Sequence, residues 1–194
     1  MNQEKLELIT DFYEFTMSNG YLLKNMNDIA YFDVFFRSVP DKGGYAIVAG
    51  LEQVIEFIEN LKFDDEDIKY LRARNIFSEE FLDYLKNFKF SGDIWAIPEG
   101  TVVFPREPLI TVRAPIIEAQ LLETMLLLII NHQSLIATKT NRIVREAKGR
   151  PVMEFGARRA HGTAAAVYGA RAAIIGGAVG TSCTLTAQKF NIPA

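Results

Sequence analysis

The chain has 194 residues, 49% of them hydrophobic, and a net charge of -3. That length suits one large domain or two small ones, and the mild acidity leaves no whole-chain electrostatic case for a nucleic-acid partner. A single cysteine, Cys183, excludes an intramolecular disulfide and fits a reducing compartment. The opening MNQEKLELITDF carries acids and no signal-type apolar run. The longest uninterrupted apolar stretch, 125–130, is too short to span a bilayer. The expectation is a cytoplasmic protein with no membrane contact.

Residues 6–23 open with apolar side chains, and Thr10-Asp11 offers a helix N-cap. Phe12, Phe15, Met17 and Tyr21 then suit a packed helix, with Tyr13 between them in TDFYEFTM. The aromatic, β-rich run 30–37 (AYFDVFFR) predicts a strand that places the Arg37 guanidinium at its end. Asp41-Lys42-Gly43-Gly44 predicts a turn, and 45–49 a second strand. Leu51, Val54, Ile55, Phe57, Ile58 and Leu61 fall at helical spacing. Two further helices are expected at 65–74 and 78–86, the second capped by Ser78. Their many acids suggest a solvated outer face without chemistry.

Residues 92–115 change character. Pro98, Pro105, Pro108 and Pro115 separate short β-rich runs at 94–97, 101–104 and 109–113, which predicts edge strands and turns. The shape resembles the barrel-sandwich of biotinyl and lipoyl carrier domains. No lysine stands at the hairpin tip, so a carrier function is set aside. Residues 116–130 predict a long buried helix, continuing through NHQSLIATKT to about residue 150. Lys139, Arg142, Glu146 and Arg150 would share a face of it. His132 has no second His or Cys at metal spacing and reads as a hydrogen-bonded helix residue.

The stretch MEFGARRAHG, 153–162, is the most suggestive. A strand over 151–155 delivers Glu154, then Gly156 and the adjacent Arg158 and Arg159. Paired guanidiniums suit phosphate or carboxylate, because the planar fork donates two parallel hydrogen bonds. Between Lys139 and Arg171 stand eight basic residues against two acidic ones, a local charge of +6 in an acidic chain. Segregation of this kind suits a small polyanion. A small-residue helix over 157–175 follows, stopped by Gly176-Gly177, then a strand over 178–183 and a short helix over 185–190. Strand, helix, strand, helix is the start of a parallel α/β structure.

In this order the pieces resemble nicotinate phosphoribosyltransferases. The resemblance is carried by TDFYEFTM, FDVFFRSVPDKGGYAIVAGLEQVIEFI, NHQSLIATKT, EFGARRAHG and GTSCTLTAQKFNIPA. It implies an α/β fold: an N-terminal α/β sandwich domain followed by the first strands and helices of an incomplete β/α barrel. The implied division is 1–115 with the barrel-sandwich-like segment at 92–115, connecting helices at 116–150, and a truncated barrel at 151–194. The implied reaction joins nicotinate to phosphoribosyl pyrophosphate, giving nicotinate mononucleotide and pyrophosphate with ATP hydrolysis. Magnesium accompanies the phosphoribosyl pyrophosphate.

By the same resemblance Glu154 and Arg158 are the catalytic candidates. Tyr13 would stack on the pyridine ring. Arg37, Lys139, Arg142, Arg158, Arg159, Thr181 and Ser182 would bind substrate, and no resident metal is expected. The family's phosphorylated histidine belongs to a Gly-Thr-x-Ala-His-Ser segment that would fall beyond Ala194; His161 lies one strand too early to replace it. The chain is therefore expected to be an N-terminal portion, inactive alone and prone to homo-oligomerise through an open parallel edge. Alternative readings are a nicotinamide or quinolinate phosphoribosyltransferase, and a non-catalytic fragment that binds phosphoribosyl pyrophosphate or regulates.

Overall fold

A computed structural model describes residues 6–39 and 43–194. It contains α1 (Phe12–Leu23), β1 (Ile29–Val34), β2 (Ala46–Ile47), α2 (Leu51–Asn60), α3 (Asp65–Arg72), α4 (Glu79–Lys86), β3 (Asp93–Ala96), β4 (Val102–Val103) and β5 (Ile110–Pro115). It continues with α5 (Ile116–Gln120), α6 (Glu123–Glu146), β6 (Met153–Glu154), α7 (Thr163–Ile175), β7 (Gly180–Thr181) and α8 (Thr184–Phe190). The fold is mixed α/β, as expected, and divides into two compact units. Of the described residues the first holds 6–34, 52–95 and 110–127; the second holds 35–39, 43–51, 96–109 and 128–194.

In the first unit β5 is the middle strand of a three-stranded sheet ordered β1-β5-β3. This corrects the expectation that prolines keep it at an edge. Pro108 precedes β5 and Pro115 is its last residue, so its interior amides remain free to pair. It runs antiparallel to β1, from Ile29 opposite Pro115 to Val34 opposite Ile110. Ile110, Val112 and Ala114 are buried while Thr111 and Arg113 alternate outward. On the outer face Arg113 donates to the Tyr31 hydroxyl and to Asp93, each at 3.0 Å. The strands of 92–115 do not form a sheet of their own: β3 and β5 join β1, and β4 pairs with β2.

Helices α3 and α4 start where capping chemistry dictates. The Asp64 side chain accepts from the Glu66 and Asp67 amides, the Asp67 carboxylate accepts in turn from the Asp64 amide, and Ser78 accepts from the Phe81 amide. The solvated-face expectation holds only for their acids other than Asp67, which is buried. Their opposite faces bury Ile68, Leu71, Phe81, Leu82 and Leu85, the centre of this unit. Phe15 and Phe88 each meet Phe63 edge-on, at centroid distances of 5.8 and 5.7 Å. Such pairs add to the burial energy through the ring quadrupoles.

Helix α1 begins at the predicted place but not by the predicted cap. Asp11 makes no side-chain capping bond; its amide instead donates to Thr124 Oγ1 at 3.1 Å. The helix also turns an unexpected face inward. Glu14, Phe15 and Ser18 are buried, while Phe12, Tyr13 and Met17 are exposed.

In the second unit the short strands β2 and β4 pair antiparallel, and the amide of Val48 continues the ladder to the Thr101 carbonyl. The other edge of β2 is satisfied by α6 side chains. Ile47 donates its amide to Thr138 Oγ1 at 2.8 Å, and Ala49 its amide to Ser134 Oγ at 3.0 Å. The hydroxyls pass their own protons to the carbonyls of Ser134 and Ala49. Ser134 and Thr138 are thus structural, which explains polar residues midway along a helix.

The predicted helix over 157–175 is two pieces, a 3-10 turn at Ala157–Arg159 and then α7. Gly162, at φ 115°, separates them in a conformation that side-chain-bearing residues avoid. The small residues of α7 permit close packing on α6: a Cβ on Gly176 would lie 2.4 Å from the Ala137 carbonyl oxygen. Strands β6 and β7 pair in parallel, Met153 opposite Gly180 and Glu154 opposite Thr181, as the strand-helix-strand pattern predicts.

The helical run 116–146 has the length and mean composition that a membrane span would need, although its uninterrupted apolar stretch is short. Half of its most apolar window is buried within the protein, and its hydroxyls serve β2, as a core helix requires. Its burial is less complete than predicted: Met125, Leu126 and Ile130 are buried, but Leu127 and Leu128 are exposed.

Candidate functional site

The second unit gathers most of the candidate residues. Glu154 ends β6 and Ser182 follows β7, whose Thr181 lies beside Glu154. The Thr181 hydroxyl donates to Glu154 Oε2 at 2.5 Å and accepts from the Cys183 amide at 3.0 Å. Glu154 Oε1 accepts from the Gly156 amide. Ser182 is exposed, and its amide donates to the Glu154 carbonyl at 2.9 Å. The carboxylate therefore ties together the two strand ends and the turn that follows β6.

That turn carries Arg158 and Arg159, both exposed. The Arg159 amide donates to the Gly156 carbonyl at 2.8 Å, so one 3-10 turn fixes the backbone of the arginine pair. The guanidiniums project from a short, backbone-anchored turn beside a strand end, where parallel α/β folds collect functional groups. His161 is exposed nearby in sequence, and His132 Nε2 lies 3.4 Å from the Ala165 carbonyl oxygen, the hydrogen-bonded role expected of it.

A second cationic group surrounds Tyr45. Its hydroxyl donates to Asn141 Oδ1 at 2.8 Å and accepts from Arg145 at 3.3 Å. The guanidiniums of Arg142 and Arg145 stand 6.0 and 5.8 Å from its ring centre. Arg142 also packs against Gly43: a Cβ there would fall 1.6 Å from the guanidinium, which would have to swing aside. Asp41 and Lys42 of the predicted turn lie outside the described residues. Tyr45, Asn141 and Arg145 were not among the sequence candidates. The spacing of Asn141, Arg142 and Arg145 on one helix was the available signal.

Lys139 is exposed on α6, and Arg150 lies past the helix end at Glu146, so the expected shared face stops short of it. Arg37 is also displaced: β1 ends at Val34 and Arg37 sits exposed beyond it. A two-residue aromatic pair, Phe35-Phe36, prolongs the β-like composition past the last residue that β5 can pair.

A buried ion pair holds the second unit's connecting loop. Arg171 bonds both carboxylate oxygens of Glu99, at 2.7 and 2.9 Å, and Glu99 also accepts from the amides of Gly50 and Leu51. Burial pushes this carboxyl up, but Arg171 and the two amides outweigh it and hold it below the usual range.

Tyr13 belongs to the first unit. The residue is 43% exposed, so the helix presents it rather than burying it. Its hydroxyl bonds the Glu123 carboxylate, which with partial burial and the charges of Glu123, Glu14 and Asp11 pushes its pKa up to about 12. In the same unit the carboxylates of Glu7, Asp64 and Asp67 lie within 4.8 Å of one another. Asp64 and Asp67 are already committed there to the α3 cap.

These features describe an α/β protein with guanidiniums grouped beside a parallel strand end and an aromatic ring exposed on a separate helix. That chemistry suits a planar or phosphorylated anion. The profile of the nicotinate phosphoribosyltransferase (NAPRTase) N-terminal domain matches residues 8–131. A nicotinate phosphoribosyltransferase of Mycobacterium tuberculosis is 50% identical over 186 residues, covering 96% of this chain and 40% of that protein. That of Bacillus subtilis is 45% identical over 191 residues, covering 98% and 39%. The human nicotinic acid phosphoribosyltransferase structure superposes with a TM-score of 0.90 at 32% identity, covering 96% of this chain and 38% of that one. The chain belongs to the nicotinate phosphoribosyltransferase family. It spans about two fifths of the length of these curated relatives.

Proposed function

We propose that this chain is the N-terminal portion of a nicotinate phosphoribosyltransferase that makes nicotinate mononucleotide and pyrophosphate for pyridine nucleotide synthesis, coupled to ATP hydrolysis. The observation that carries the reading is the 50% identity to a protein of that name across 96% of the chain. In the reaction the pyridine nitrogen forms a bond to the anomeric carbon of the ribose as the bond from that carbon to the pyrophosphate oxygen breaks. The nitrogen bears no proton, so the protein's task is positioning and charge stabilisation.

Arg158 and Arg159 would take the phosphates, with Ser182, Lys139, Arg142 and Arg37 as further anion ligands. Tyr13 would stack on the pyridine ring. Glu154 is read as catalytic through position: with Thr181 it sets the turn that aims the arginines. Magnesium enters as the counter-ion of phosphoribosyl pyrophosphate. Glu154 has both carboxylate oxygens engaged, by the Gly156 amide and the Thr181 hydroxyl. Residues 151–194 are read as the opening of a β/α barrel, and the whole protein as a cytoplasmic homo-oligomer.

The test is an assay of the longer protein containing this sequence, with phosphoribosyl pyrophosphate, ATP and each of nicotinate, nicotinamide and quinolinate. Nicotinate mononucleotide from nicotinate alone is expected. Preference for another base overturns the substrate, and no product from any base favours the non-catalytic reading. The 194-residue chain alone is expected to make none. In the longer protein, Arg158→Ala is expected to lower kcat/KM for phosphoribosyl pyrophosphate about 100-fold, as loss of one preorganised charge contact does.

A further inference from the structure

Helix α1 turns two polar residues inward beside Phe15. Glu14 and Ser18, polar residues, are fully buried, while Tyr13 and Phe12 face outward. A helix placed only by hydrophobic burial would rotate the other way. What opposes that rotation is a hydrogen-bonded chain to the start of α6. The Asp11 amide donates to Thr124 Oγ1 at 3.1 Å, and Thr124 Oγ1 donates to Glu14 Oε1 at 2.5 Å. Next to Thr124, Glu123 accepts from Gln120 Nε2 at 2.8 Å and takes the bond from the Tyr13 hydroxyl. Two adjacent residues of α6 thus hold two adjacent residues of α1, one from inside and one from outside.

We propose that Glu123 is the positioning residue for Tyr13, and that buried Glu14, bridged by Thr124, is the buttress whose protonation sets how firmly the ring is held. The functional half of this rests on the reading of Tyr13 as the stacking residue. The groups around the phenol are Asp11, Glu14 and Glu123, all acidic. Glu14 Oε2 and Ser18 Oγ are buried and have no hydrogen-bond partner among the described residues. A neutral Glu14 suits such a place, since a carboxylate with an unpaired oxygen out of water is expensive. Burial above all, with the charge of Glu123, pushes the Glu14 carboxyl up to about 7, while the Thr124 bond pulls the other way.

The consequence for the chemistry follows from charge. A tyrosine hydroxyl that donates to a carboxylate has a more electron-rich ring. As the pyridine nitrogen is alkylated, the nucleobase turns from neutral ring to pyridinium, and an electron-rich aromatic face favours that cation. The interaction strengthens along the reaction, which is the requirement for raising kcat rather than only lowering KM.

The first test uses the chain itself and no substrate: NMR of ring-labelled tyrosine against pH. The Tyr13 ring signal is expected to shift with a midpoint near 7. Glu14→Gln is expected to abolish that step, and Glu123→Gln to keep it while lowering the phenol's own titration from about 12 towards its ordinary 10. Thr124→Val, which keeps shape and removes the bridge, is the second variant and is expected to broaden or split the Tyr13 signal. A Tyr13 signal that is flat through neutrality and unmoved by Glu123→Gln overturns the positioning claim. In the longer enzyme Glu123→Gln is expected to lower kcat about tenfold, the size of one charged hydrogen bond, with KM for nicotinate little changed. If the NMR result holds while kcat stays at the wild-type value, Tyr13 is held as described but is not the stacking residue.

Discussion

The first unit is centred on large apolar side chains. Phe81, Leu71, Leu82 and Leu85 are sealed from solvent, and Phe15, Phe63, Phe77 and Phe88 meet edge to face in the same unit. The second unit closes around the small residues Ala49, Ala137 and Ala172 with Ile47, laced with hydrogen bonds from Ser134 and Thr138 and a Glu99–Arg171 ion pair. One unit is held by area removed from water, the other by close approach and paired polar groups. The difference shows in which perturbation each should feel, and in the sign of its response to pH.

The largest effect should come from the first unit's centre. Phe81→Ala is expected to cost about 3–5 kcal/mol in urea denaturation, since it empties a site with no solvent contact. A cost under about 1 kcal/mol would mean that this core is not what holds the unit. The counterpart in the second unit is Glu99→Gln. It strands Arg171 in a partly buried place and weakens the bonds to the Gly50 and Leu51 amides, for an expected cost of about 2–3 kcal/mol at neutral pH. Because the folded Glu99 carboxyl is held low, its contribution is complete above the ordinary carboxyl value. It is lost as pH falls through the lower folded one. Acid should therefore narrow the gap between wild type and Glu99→Gln.

Glu14 should behave in the opposite sense. Its folded pKa is raised from an ordinary 4.5 to about 7, so the folded state binds the extra proton between those values. Stability from this group is complete below 4.5 and declines as pH rises through about 7. Glu14→Gln is expected to flatten that decline and to gain about 2 kcal/mol at pH 8, part of what a rise from 4.5 to about 7 represents. An unchanged slope would place the sensitive group elsewhere. The smallest effect is expected at the surface: Arg72→Ala removes a 2.8 Å pair with Glu79, open to water, and should leave the denaturation midpoint where it was.

Much of this organisation could be read along the chain, but unevenly. The helices at 51–60, 65–72 and 79–86 follow from apolar spacing and caps, because those signals are local. The parallel β6–β7 pair followed from strand-helix-strand order. What could not be read was anything set by a distant partner. Pro108 and Pro115 suggested edge strands, yet β5 is central because the prolines flank its paired amides. Arg37 looked like a strand end, but β1 stops three residues earlier, where β5 has no more partners. Arg158 and Arg159 were visible as a pair, whereas the Tyr45–Asn141–Arg145 group joins residues about 100 apart.

By itself the sequence determined the α/β class, the family resemblance and the cationic stretch around MEFGARRAHG, since residue types and local spacing suffice for these. Only the tertiary structure decided which face of α1 turns inward, that Glu154 spends its carboxylate on Thr181 and Gly156, and that Ser134 and Thr138 serve the edge of β2. The physical reason is the same each time. A buried polar group must find its partner wherever the fold brings one, and sequence spacing does not carry that address.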